Sequence, residues 1–175
     1  MVYTAHLKDM VDNKLGTFEI TSGTLIVSDP CYSRGTWCAG SLKDVRNGKW
    51  TAYIRVNDER VVELEIRHAD IDGLPNALNE CWENSGIDVG VDSGQAGFWD
   101  DPKYGNGEGE YGDLNTFYGK ACDKTLNSGR AGIMDGGVVS SSGYGDGSYI
   151  CLFVRDQLRK DIVAAKIVFI EDDPN

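Results

Sequence analysis

Apolar and polar residues alternate with a period of two through much of this chain. Ala52, Ile54 and Val56 interleave with Thr51, Tyr53 and Arg55, and Val62, Leu64 and Ile66 interleave with Glu63, Glu65 and Arg67. That period is the signature of a strand with one apolar face, so the opposite face is expected to be wet. Further β-branched and aromatic runs predict strands at TLIVS from Thr24, WTAYIRV from Trp50, RVVELEIRH from Arg60, IDVGV from Ile87, GVVSS from Gly137, YICLFV from Tyr149 and DIVAAKIVFI from Asp161. Asn47-Gly48, between Val45 and Trp50, is a hairpin signal, and Asn57-Asp58 turns the chain again. The three strands around those turns are therefore expected to form a meander.

Two stretches switch to the helical period. From Leu114 to Leu126 the residues Leu114, Phe117, Tyr118, Ala121, Cys122 and Thr125 share one face, and Asp113 stands where an N-cap belongs. A shorter helix is predicted over PNALNECWEN, opening at Pro75 and burying Leu78, Cys81 and Trp82. No repeat or long linker divides the chain, although YGNGEGEYG reads as an exposed loop. The expected architecture is one domain over residues 1–175, α+β but mainly β. It would be an antiparallel sheet or a partly closed barrel or sandwich, with one or two short helices packed on it.

Composition narrows the function classes. The chain has 175 residues, 41% of them hydrophobic, and 28 acidic against 17 basic residues give a formal charge of −11. Such a length supports one buried core, and such a charge repels phosphate backbones and anionic lipid. The densest basic stretch, VRDQLRKD, mixes Arg155, Arg159 and Lys160 with Asp156 and Asp161 and reads as a hairpin end. Neither nucleic acid nor membrane is expected as a partner. The N-terminal MVYTAHLKDM has no basic and apolar leader pattern, and no apolar run approaches a membrane span. The expected location is the cytoplasm.

Several motifs fail on their physics. Gly107, Gly109 and Gly112 satisfy GxGxxG ahead of a helix, but Glu108, Glu110 and Asp113 would set three negative charges around a pyrophosphate. HADIDGLPNALN resembles a calcium loop but has His68 at the first ligand position and Asn79 at the last. Cys31, Cys38, Cys81, Cys122 and Cys151 show no CxxC spacing, and His6 and His68 are the only imidazoles, so no zinc pattern exists. The cysteines read as free thiols, with Cys31 and Cys38 the one pair open to bridging. No GxSxG is present. His68 reads as a strand-end residue facing solvent and His6 as a terminal strand residue. Cys31 beside Asp29 is not activated, because a carboxylate raises a thiol. No cofactor is expected, and the sequence leaves metal binding undecided.

One pattern remains. In VSDPCY, VGVDSGQAGFWD and SSGYGDGSY a strand ends and an aspartate follows among turn-forming residues. Each of these aspartates alone reads as a turn cap. If the strands are neighbours, Asp29, Asp92, Asp100 and Asp146 meet at one sheet edge, with Tyr32, Gln95, Trp99, Tyr144 and Tyr149 as hydrogen-bonding groups and flat walls. For a ligand carrying phosphate, the acidity must be offset locally by Arg34, Lys43, Arg130 or backbone N–H groups.

GVDSGQAGFWD from Gly90, SSGYGDGSY from Ser141 and the closing IVAAKIVFI resemble an uncharacterised family of bacterial and phage proteins known only as a domain of unknown function. The resemblance covers about the second half of the chain, with VSDPCY as a further anchor. It implies that Asp92, Gly94, Asp100, Ser142, Gly143, Gly145, Asp146, Gly147 and Tyr149 are family positions, and it implies no activity. The N-terminal segment VYTAHLKDMVDNKLGTFEI is shorter than that family's. The favoured expectation is a non-catalytic binding protein for a small polar ligand, such as a nucleotide signal, or for a protein partner. A metal-dependent or carboxylate-based hydrolase and a structural or partner-inhibiting protein are the alternatives.

Overall fold

The computed structural model describes residues 13–74, 82–127 and 129–171. Among the described residues eleven strands form two antiparallel sheets: β1 (Lys14–Ile20), β2 (Leu25–Ser28), β3 (Gly40–Leu42), β4 (Gly48–Asn57), β5 (Arg60–His68), β6 (Glu83–Val91), β7 (Gln95–Asp100), β8 (Ala131–Met134), β9 (Gly137–Ser141), β10 (Gly147–Arg155) and β11 (Ile162–Val168). The larger sheet runs β1-β4-β5-β11-β10-β6 and the smaller β3-β2-β7-β9-β8. Fully buried Leu25, Val27, Trp50, Leu64, Ile66, Val89, Phe98, Val138 and Ile167 belong to the principal core cluster. The mainly β α+β class holds, as two antiparallel sheets.

The strands with strong alternation form where expected, but the meander does not. β4 and β5 make the foreseen hairpin, its two-residue turn being Asp58 and Glu59 at positive φ. Asn47-Gly48 makes no hairpin: β2 and β3 lie in the smaller sheet, while β4 pairs with β1. Asn47 instead accepts a hydrogen bond from the Gly23 amide at 2.7 Å, so the pair shapes the chain's passage between sheets. Local turn chemistry names a bend but not which strands it joins.

The expected wet face is also closed. Glu63 and Glu65 are only 5% and 4% exposed. Arg67 donates to Glu65 at 2.7 Å, and Lys166 and Arg55 lie 3.4 and 3.7 Å from Glu63. Burial pushes the Glu63 carboxyl up against the opposing pull of Lys166 and Arg55. Ile71 and Trp82 pack on Val154, Val163 and Ala164, and the Lys166 ammonium sits 4.4 Å over the Trp82 ring. His68, expected in solvent, is 6% exposed and stands edge-on to Trp50. Its Nδ1 accepts from the Asp70 amide at 3.0 Å, which leaves the proton on Nε2 to reach the Asn47 carbonyl at 2.9 Å.

The helix predicted from Leu114 is shorter. Helix α1 spans Phe117–Cys122 and continues as a π-helical turn over Asp123–Asn127. Thr116 is the N-cap, its hydroxyl accepting from the Gly119 amide, while Asp113 braces the turn before it. Phe117 and Ala121 pack with Trp99 and Tyr104 on the outer face of the smaller sheet, whereas Leu114 and Leu126 are exposed. Most of the helix predicted from Pro75 lies outside the described residues, and its last two, Glu83 and Asn84, open β6. His6 also lies outside them. Among the described residues no helix is long and apolar enough to cross a membrane.

Candidate functional site

Asp29 follows β2 into the interior and is fully buried. One carboxylate oxygen accepts from the amides of Asp92 at 2.9 Å and Ser93 at 2.7 Å. The other accepts from the Cys31 amide at 2.8 Å and the Ser93 hydroxyl at 2.6 Å. The next amide, Gly94, donates to exposed Asp146 at 3.1 Å. Three successive amides of the β6–β7 turn thus end on two carboxylates from distant parts of the chain. The Asp29 and Asp146 carboxylates engage one turn, to which Asp92 contributes its amide.

Asp100 is elsewhere. It pairs with Leu25 at the far end of the β2–β7 ladder, about 13 Å along the strand from Asp29. There it accepts from the amides and hydroxyls of both Thr21 and Ser22. Burial raises the Asp100 carboxyl, but those donors outweigh it and the net shift is downward. A carboxylate has about four acceptor sites, and both Asp29 and Asp100 fill theirs with the protein's own N–H and O–H groups. Neither has a lone pair left for a metal ion or for proton transfer. Among the described residues, no three His, Cys, Asp or Glu side chains are grouped to hold a metal ion.

The glycine run after Ser141 resolves into a turn and a strand start. Ser142 accepts at its carbonyl from the Gly145 amide at 2.8 Å, and its hydroxyl donates to the Gly145 carbonyl at 2.9 Å. The Tyr149 hydroxyl reaches that same carbonyl at 2.6 Å. Gly145 has φ +112, a conformation a side chain resists, whereas Gly147 is already regular strand. Ser142 and Tyr149 are thereby occupied in building the turn, and Asp146 ties it to Gly94 of the β6–β7 turn.

The turn displays Tyr144, which is 78% exposed. The Arg60 guanidinium, from the β4–β5 hairpin, lies 4.8 Å over its ring. Together they wall a groove of about 290 Å³ with Val62 and Ile170 as apolar lining and Asn57 and Asp58 as polar lining. Gln95 and Tyr32 do not reach it. Buried Gln95 donates to Cys122 and accepts from Thr125, fastening the helical segment to the smaller sheet. Tyr32 takes the Tyr104 hydroxyl on its carbonyl, and burial, with Cys38, Cys31 and Asp92 nearby, pushes its phenol up to about 12. Cys31, Cys38, Cys122 and Cys151 are free thiols. Burial first, then Asp29, pushes the Cys31 thiol up to about 12, so it is protonated and inert at neutral pH.

Two glycines of the GxGxxG match serve packing: a Cβ would stand 2.4 Å from the Cys31 carbonyl oxygen on Gly107 and 2.1 Å from the Thr116 side chain on Gly109, whereas Gly112 faces open space. Sequence reasoning missed Arg60 as a site residue because its weight comes from meeting Tyr144 across 84 positions of chain. It also missed Arg46, a buried guanidinium discussed below.

No protein-family model, curated protein or solved structure matches the chain. The resemblance in GVDSGQAGFWD and SSGYGDGSY rests on those residues alone.

Proposed function

We propose that this is a non-catalytic binding protein, of the bacterial or phage kind its motifs resemble, that takes a small polar ligand with a planar ring in the groove at Tyr144. A nucleotide signal suits the chemistry best. One observation carries the reading: a tyrosine ring is held in solvent by a hydrogen-bonded turn, with a guanidinium stacked on it, over an apolar floor. Leaving 78% of a tyrosine exposed wins nothing for the fold. Held rigid, the ring offers a stacking surface at little entropic cost. Arg60 supplies a fork for a phosphate or carboxylate, and Asn57 and Asp58 supply acceptors and a donor for a ring edge. Asp29 behind the turn acts as scaffold, and its saturated oxygens argue against a hydrolase built on that carboxylate.

A thermal-shift panel of nucleotides and nucleosides tests this. A ligand at about 100 times its dissociation constant adds about 2.7 kcal/mol of stability. Tyr144→Ala and Arg60→Ala should each abolish that gain with the unliganded melting temperature unchanged. Failure of every panel member to stabilise the protein, or full binding by Tyr144→Ala, rules the reading out.

A further inference from the structure

A second groove, of about 250 Å³, opens on the smaller sheet and shares no lining residue with the first. Ile26, Ser41 and Lys43 line it from β2, β3 and the residue after β3, and Arg34 and Asp101 line it from two loops. Two cations in one groove stand out on a chain of charge −11.

Arg34 is fixed before any ligand arrives. Its Nε donates to Asp101 at 2.9 Å, one terminal nitrogen donates to the Tyr104 carbonyl at 3.1 Å, and the other donates to the Asp101 carbonyl. The guanidinium also lies 5.4 Å over the ring of Tyr104, itself buried and anchored through its hydroxyl to the Asp29 and Tyr32 carbonyls. These contacts use three of a guanidinium's five N–H groups, and two remain. Lys43 is exposed and forms no ion pair among the described residues. Ser41 is exposed on an edge strand, so its hydroxyl is open to a ligand.

We infer that this groove binds the phosphate of a small hydroxyl-bearing phosphate monoester. A planar carboxylate is satisfied by a guanidinium fork alone, whereas a monoester head presents three terminal oxygens. The spare N–H groups of Arg34, the Lys43 ammonium and the Ser41 hydroxyl supply three kinds of donor. Asp101 is already neutralised by Arg34, and its other carboxylate oxygen accepts a ligand hydroxyl. The groove's volume of about 250 Å³ accommodates a phosphate head and a few carbons. Arg130, the third cation that phosphate recognition was expected to draw on, precedes β8 at the opposite edge of this sheet and takes no part.

Titration calorimetry of the full chain at low salt, with glycerol 3-phosphate, inorganic phosphate and glycerol as separate probes, tests the site. Saturable binding of both phosphates and none of glycerol is expected. Lys43→Glu, which changes an exposed side chain, should weaken glycerol 3-phosphate by ~10-fold or more, equivalent to ~1.4 kcal/mol, and Ser41→Ala by a smaller factor. Tyr144→Ala should leave it unchanged, which separates this site from the Tyr144 groove. Absence of saturation by ~10 mM, or affinity untouched by Lys43→Glu, overturns the inference.

Discussion

Asp29 and Arg46 are charged side chains drawn into the protein, and they are neutralised in opposite ways. Among the described residues Asp29 meets no cation: three amides and one hydroxyl surround it, all from residues 31, 92 and 93. Arg46 meets carboxylates: Asp161 through two bonds of 2.8 and 2.7 Å, Asp156 at 3.1 Å and Asp70 at 3.2 Å. Dipoles that must be satisfied anyway hold the first charge, so it doubles as the fastening of a turn. Opposed full charges hold the second, so its strength depends on the protonation of its partners. The first knot braces the sheet end that presents Tyr144, because Asp146 of the β9–β10 turn accepts from Gly94 of the same β6–β7 turn. The second ties the segment before β4 to the β10–β11 hairpin.

Breaking the Arg46 knot should have the largest effect. Arg46→Met takes away the cation shared by three partly solvated carboxylates and should cost about 2–3 kcal/mol by chemical denaturation. The knot also has a pH signature. The amides of Arg159 and Leu158, then Arg46, hold Asp156 down to about 2, and Arg46 holds Asp161 below its ordinary 3.8. Both folded values lie below the unfolded ones, so the stability they contribute is complete above about pH 4 and is lost as pH falls toward 2. Urea midpoints measured from pH 5 to pH 2 should fall steeply in the wild type and less steeply in Arg46→Met. An unchanged slope would show that Arg46 is not what holds Asp161.

Asp29→Asn comes next. It keeps the shape but turns an amide NH2 toward groups that all donate, so about 2 kcal/mol should be lost, as expected for a buried donor left unpaired. A neutral outcome would mean that the turn amides find other partners and that the two knots are not comparable. Gly145→Ala places a Cβ at φ +112 and should cost about 1 kcal/mol. Asp146→Asn, exposed and accepting one turn amide, should cost under about 0.5 kcal/mol. If it proves as damaging as Gly145→Ala, the exposed carboxylate is part of the fastening that Asp29 was held to supply.

The two knots were unequally legible in the sequence. Asp29 and Asp146 were marked because aspartate beside a strand end among glycines and serines is a local signal, and local hydrogen bonds follow from it. Arg46 stood in an ordinary VRNG context, and all three of its partners lie far along the chain. Asp100 gave the same local signal as Asp29, yet it closes a different end of the ladder. A strand has two ends, and sequence does not say which end of which neighbour lies beside them.

By itself the sequence determined the period-two strands, the mainly β class, the Asp58 turn and the glycine turn under Tyr144, all of which depend on residues within a few positions of one another. Only the tertiary structure decided that β2 and β4 belong to different sheets, that the polar face of β5 is covered, and that Arg60 reaches Tyr144 while Lys43 and Arg34 face one groove. Those outcomes depend on which strands become neighbours. That choice is made by burying both sheets' apolar faces at once, a sum over the whole chain that no short stretch contains.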